Sequence, residues 1–339
     1  MATGPGKRPG LSNWDSRVTS KSAPEDTFHV SRDDEEYLKM LREEEEFWDS
    51  RTETLLTETP RRSIQRYLNE RLTGDPDKRW YQTIGDEGEF TSGCIFGAGP
   101  GEIEEHLLGR HPQLNLTIFD ISGDALSRLQ KRLDQTYPGR AATRQQDLNF
   151  VGLPGESYDL AVAISSVHHL VNLEHFAFQV SRSLTSEGRF FMHDAVGESY
   201  FQFTEEKKRM FQTYVDATRD SSEPRFKIVW PSRAKWEFSP FECARSGEIL
   251  DVFARYLSPL RIRTAGALLA LTLFRQPDDS RGRLGRAIDK VRARLSGRGL
   301  AITRGTSRGE LLFLLDSLMC DSGRLVPGQA FGIYGKRGG

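Results

Sequence analysis

Three glycines at alternate positions, Gly97, Gly99 and Gly101, break the stretch GCIFGAGPGEIEEHLL at residues 93–108, and no other feature restricts the fold as much. An apolar run ends in them, and a helix-forming segment follows at once. The pattern predicts a strand, a tight turn and a helix start. Glycine tolerates positive φ and puts no Cβ between backbone and ligand, while the first free N–H groups of the helix face whatever sits above the turn. A nucleotide-like molecule fits such a cradle. Dinucleotide-binding turns need a third glycine or alanine five residues after the first, and that position is Glu102 here. A flavin or nicotinamide oxidoreductase is therefore the weaker reading.

With 339 residues the chain can bury a sizeable core. Its formal net charge of -1 offers nothing global for nucleic acid or an anionic membrane, so neither is expected as a partner. Cys94, Cys243 and Cys320 are widely spaced and odd in number. They make neither a disulfide framework nor a zinc cluster, no metal is expected, and a reducing cytoplasm is the expected setting. No run approaches the roughly 20 apolar residues of a membrane helix.

Along the chain, residues 1–30 read as a flexible tail rich in Gly, Pro, Ser and charge. Ser31 and Asp34 mark the start of a helix through Tyr37, Leu38, Leu41, Phe47 and Trp48, and a second helix follows Pro60. The acidic run at residues 43–46 is expected on a solvated helix face. Residues 114–120 (LNLTIFD) predict a strand ending in Asp120, about 20 residues beyond the glycine turn, where an acid accepts hydrogen bonds from ribose hydroxyls. Residues 142–147 predict a third strand ending in Asp147, a loop cap or a ligand contact. YDLAVAI at residues 158–164 reads as a central parallel strand, followed by Ser165, His168 and His169. Residues 189–194 predict the next strand, and its end carries His193 and Asp194. A helix is expected over residues 241–256, a strand near 260–263, a basic amphipathic helix over 281–298, and a last strand in QAFGIYGK.

The turn Gly97–Gly99–Gly101, the acids Asp120 and Asp147, the strand YDLAVAI with its His168–His169 ending, and the block LTSEGRFFMHD resemble, in order, the class I S-adenosylmethionine-dependent methyltransferases. MHDAVGESYFQFTEE and SPFECARSGEIL are similar to a bacterial small-molecule methyltransferase-like subgroup. The resemblance covers residues 85–195. It implies an α/β, Rossmann-like sheet, with residues 31–80 as an N-terminal helical cap and 85–339 as the methyltransferase-like domain. A lid insertion is expected after strand five, at about 197–260. It further implies S-adenosylmethionine as cofactor and methyl transfer to an oxygen or nitrogen of a small molecule. Gly97, Gly99, Gly101, Asp120, Ile121, Asp147, Leu148 and Ser165 are the implied donor contacts. His169 or His168 is the expected base or substrate orienter, with His193–Asp194 as an auxiliary pair. The family often carries an acid two places before the first glycine, where this chain has Ile95, which keeps a noncatalytic S-adenosylmethionine-binding role open as an alternative.

Overall fold

Strands with continuous apolar runs can be satisfied only in a sheet covered on both faces. In the computed structural model, which describes residues 28–51, 62–218, 226–232, 236–277, 301–303 and 306–337, they form one. The elements run α1 (Glu35–Arg51), α2 (Arg62–Thr73), β1 (Ser92–Phe96), α3 (Glu102–Arg110), β2 (Asn115–Asp120), α4 (Gly123–Thr136), β3 (Ala141–Gln145) and β4 (Tyr158–Ile164). There follow α5 (Leu173–Ser183), β5 (Leu184–Ala195), α6 (Glu205–Ala217), α7 (Ile249–Tyr256), β6 (Leu257–Ala265), α8 (Arg308–Asp321) and β7 (Gln329–Lys336). The seven strands lie in the order β3-β2-β1-β4-β5-β7-β6. β7 runs antiparallel to both its neighbours, and β1 to β5 pair in parallel. This is the Rossmann-like arrangement of the class I methyltransferase fold.

Side-chain alternation builds the two faces. Cys94 and Phe96 of β1 and Phe190 and Met192 of β5 point into one core with Phe176 and Phe253, from α5 and α7. Ile95 and Phe191 point the other way, onto Leu107 of α3 and Leu129 of α4. Ile95, standing where the family often has an acid, is thus fully buried in the core. Strand order reverses between β1 and β4, so their carboxyl ends diverge and leave a crevice, the usual ligand position in open α/β sheets.

α1 crosses this crevice. Asp34, not Ser31, supplies its cap, accepting from Glu36 N and Tyr37 N at 3.0 and 3.1 Å. The chain before it is held at Phe28 to Val30: Asn172 Oδ1 accepts from His29 N and Val30 N, and Phe28 stacks on Phe150. The expected tail therefore does not include these three residues, and residues 1–27 lie outside the described ones.

The expected helix over 241–256 begins only at Ile249. Cys243 has φ 54, in the left-handed region that an α-helix cannot use, and its carbonyl accepts from Tyr200 N. Residues 241–245 thus form a turn, and Ala244 N donates to the His168 carbonyl at 3.0 Å. β6 starts at Leu257, so the sheet resumes a little before 260. The basic stretch 281–298 lies outside the described residues. No described helix is long and apolar enough to cross a membrane.

Candidate active site

Four strand ends and two covering segments enclose a cavity of about 410 Å³. Its floor comes from residues 97–100 after β1, 120–122 after β2, 146–149 after β3 and 164–166 with 168–170 after β4. Leu41, Glu44 and Trp48 of α1 cover one side, and Phe241 and Glu242 of the turn before α7 cover another.

The glycine turn divides its work. Gly97 has φ 97, and a Cβ there would meet the Ile164 carbonyl at 2.8 Å. Gly101 starts α3 at φ 84, where a Cβ would collide with Arg132 and Leu129. Around Gly99 no atom lies within 4 Å of an added Cβ, so its bare backbone faces the cavity. Gly101 itself lines a second, adjacent cavity of about 280 Å³ together with Gly99, Glu102 and His193.

Two of the acids read from the sequence stand on the cavity floor. Asp120 accepts from Ala98 N at 2.6 Å and Ser122 N at 2.7 Å, which leaves lone pairs on both oxygens for a ligand. Burial raises its pKa, against these N–H bonds. Asp147 caps the short 3-10 turn at Leu148–Phe150 through Asn149 N, and also accepts from Tyr37 OH at 2.6 Å. Burial raises its pKa too, and lifts Tyr37 far above the usual phenol value. Capping and cavity lining are therefore combined in one residue. Ile121, Leu148 and Ser165 line the same cavity, Ser165 with φ 44.

Past β4 the paired histidines point back under α1. His168 Nδ1 lies 2.5 Å from Asp194 Oδ1, and His169 Nδ1 lies 2.9 Å from Glu44 Oε1. Burial would lower the His168 pKa, but the charge and hydrogen bond of Asp194, with Glu242 beside it, hold it up at about 10. Burial would likewise raise Glu242, and His168 and His169 hold it well below the usual carboxylate range. Asp194 is buried and its other oxygen accepts from Ser166 N and Val167 N.

Two expectations fail here. His193 does not pair with Asp194, because adjacent strand residues face opposite sides of the sheet. It stacks on Trp80 at 5.2 Å, bonds Gln329 and stays outside the main cavity. Glu44, expected on a solvated face, is 3% exposed. Besides His169 it accepts from Trp48 Nε1 at 2.7 Å and Phe241 N at 3.1 Å, and these partners lower its pKa although burial opposes them. Glu242, in the turn first read as a helix, completes the group.

Residues 95–190, which carry the glycine turn and the floor of the cavity, match the family model described as a methyltransferase domain. Over that stretch the chain is similar to a methyltransferase domain, as the order of its motifs implies. No curated protein matches its sequence. Among solved structures, the chain is similar to the geranyl diphosphate C-methyltransferase of Streptomyces coelicolor A3(2) at 11% identity and TM-score 0.46, over 88% of this chain and 98% of that one. It is also similar to the O-methyltransferase of a trans-AT PKS multienzyme of Brevibacillus brevis at 15% identity and TM-score 0.43, over 81% of this chain and 71% of that one. The open Gly99 backbone, the cavity volume and the carboxylates on the floor suit a cationic adenosine-bearing sulfonium. The oxidoreductase reading falls, since Glu102 stands where its third glycine would be and bonds Tyr81 instead.

Proposed function

We propose that this protein is a methyltransferase that moves the methyl group of S-adenosylmethionine to an oxygen or nitrogen of a small-molecule acceptor held under α1. One observation carries the reading: the glycine turn and Asp120 share a single cavity with two carboxylate-backed histidines. The donor's adenosine lies along residues 97–100, its ribose hydroxyls on Asp120, and Ile121, Asp147, Leu148 and Ser165 surround the base. The acceptor occupies the end bounded by His168, His169, Glu242, Trp48 and Phe241.

Methyl transfer is an in-line displacement. The acceptor's lone pair forms the new bond to the methyl carbon, the carbon–sulfur bond breaks, and its electrons stay on sulfur, which becomes a neutral thioether. The donor arrives already activated, so positioning can supply much of the acceleration, up to about 7–11 kcal/mol in favourable cases. The proton of a hydroxyl acceptor must also leave, and His169, whose Nε2 makes no hydrogen bond, accepts its hydrogen bond or its proton. Trp48 and Phe241, covering this end, keep water from competing.

Calorimetric titration with S-adenosylmethionine and with its demethylated product tests the donor half. Asp120→Ala and Gly99→Arg are each expected to weaken binding at least tenfold with an unchanged circular dichroism spectrum. The arginine enters the cavity, not the core, because nothing crowds Gly99. Wild-type affinity in both variants would overturn the assignment. A donor carrying a labelled methyl group, incubated with small-molecule extracts, then identifies the acceptor.

A further inference from the structure

We propose that His168, His169 and Glu242 form a site for one divalent transition-metal cation of the zinc class, inside the acceptor end of the cavity. Residue spacing along the chain points to no metal. The tertiary geometry points to one.

Each imidazole has its Nδ1 against a carboxylate, His168 against Asp194 and His169 against Glu44. With a metal ion in place of the Nε2 proton, a ring that donates from Nδ1 presents a lone pair at Nε2. Both Nε2 atoms then converge on the same carboxylate: His168 Nε2 lies 3.5 Å from Glu242 Oε1, and His169 Nε2 lies 3.9 Å from Glu242 Oε2. Both separations exceed the 2.7–3.2 Å of an ordinary N–H···O bond. His169 Nε2 is buried and makes no hydrogen bond.

These separations fit a shared cation instead. Donors on a tetrahedral shell of radius about 2.1 Å stand about 3.4 Å apart, using zinc–nitrogen and zinc–oxygen bond lengths. The three donor atoms already lie within 4.8 Å of one another. Histidines that ligate zinc typically hand their second nitrogen to a carboxylate, which fixes the tautomer and raises ligand basicity, and here both do. Two imidazoles with one carboxylate select zinc-class ions over magnesium or calcium, which prefer all-oxygen shells. Three protein donors leave a coordination position open on the cavity side.

The open position gives the cation a role that rests on the proposed methyl transfer. An acceptor oxygen bound there would be aligned toward the donor's methyl group and made more acidic. The cation site itself stands on the donor geometry alone.

The test uses the full chain, dialysed against a chelator and titrated with Zn²⁺ by calorimetry, and with Co²⁺ by visible absorption. The expected result is one Zn²⁺ per chain, with Co²⁺ giving d–d bands of a low-coordinate nitrogen–oxygen site. Glu242→Gln and His169→Ala should each weaken Zn²⁺ at least tenfold, and Glu44→Gln, which weakens the carboxylate behind His169, roughly tenfold or more. Donor titration on the same samples reports whether each variant remains folded and keeps the methyltransferase reading separate. Donor binding with no stoichiometric Zn²⁺ would overturn the cation site and leave that reading standing. Zn²⁺ binding without donor binding would do the reverse. Equal Zn²⁺ affinity in wild type and in a Glu242→Gln, His169→Ala double variant would assign the metal elsewhere and also sink the proposal.

Discussion

Glu104, in the first turn of α3, is 1% exposed, and its Oε1 has no hydrogen-bond partner. Burial lifts its pKa from 4.5 to about 7, with the Arg132 charge opposing. Because the folded value lies above the unfolded one, the native state holds its proton longer. Stability should therefore fall as pH rises through the window from 4.5 to about 7, by about 3 kcal/mol at most. Glu104→Gln keeps the shape and removes the titration. Urea unfolding should find the variant more stable than wild type at pH 8 and nearly equal to it at pH 5, while parallel pH profiles would refute the assignment. Glu44 shows the opposite balance, since its partners hold it ionised. Nothing local distinguishes it from Glu43, Glu45 and Glu46. Only the tertiary placement of His169 and of Phe241 N singles it out, so residue-by-residue reading of an acidic run could not find it.

Among the elements, α8 is anchored by one side chain. Asp316, fully buried, accepts from Leu268 N at 2.6 Å, Leu269 N at 2.7 Å, Gly266 N at 2.9 Å and Tyr67 OH at 2.6 Å. It thereby joins α8, the chain end of β6 and α2. Asp316→Ala would leave three buried N–H groups unsatisfied, an expected loss of about 3 kcal/mol or more by denaturant unfolding, and Asp316→Asn would retain part of it. A loss below about 1 kcal/mol in the alanine variant would show that water replaces the carboxylate. The strands themselves were legible beforehand: YDLAVAI and QAFGIYGK coincide with β4 and β7, because buried strands have long apolar runs with sharp ends. The turn at residues 241–245 was not. Its apolar spacing imitates a helix, and what forbids one is the left-handed Cys243 and a bond from Ala244 N to the His168 carbonyl, neither of which has a sequence signature. His193 was misplaced for a related reason: its position at a strand end was readable, but its side of the sheet depended on register.

At the scale of the whole molecule, the cover over the crevice is tied to three of the four strand ends that form the floor. Tyr37 bonds Asp147 beyond β3, Ser122 beyond β2 bonds Asp49, and Glu44 reaches His169 beyond β4. Donor binding should therefore be felt along α1. At about 100 times its dissociation constant, S-adenosylmethionine is expected to stabilise the chain by about 2.7 kcal/mol and to slow hydrogen exchange across Glu35–Arg51. Exchange unchanged there, with slowing confined to residues 97–101, would mean that α1 takes no part in binding. Tyr37→Phe should keep the fold and reduce that slowing.

The three bonds made by Glu44, to an imidazole below, an indole on its own helix and a main-chain amide opposite, act as one clasp. Separating α1 from the turn at Phe241 would break this clasp and free the ring of His169. Any loosening of the cover would thus be felt at once by the imidazole beneath it.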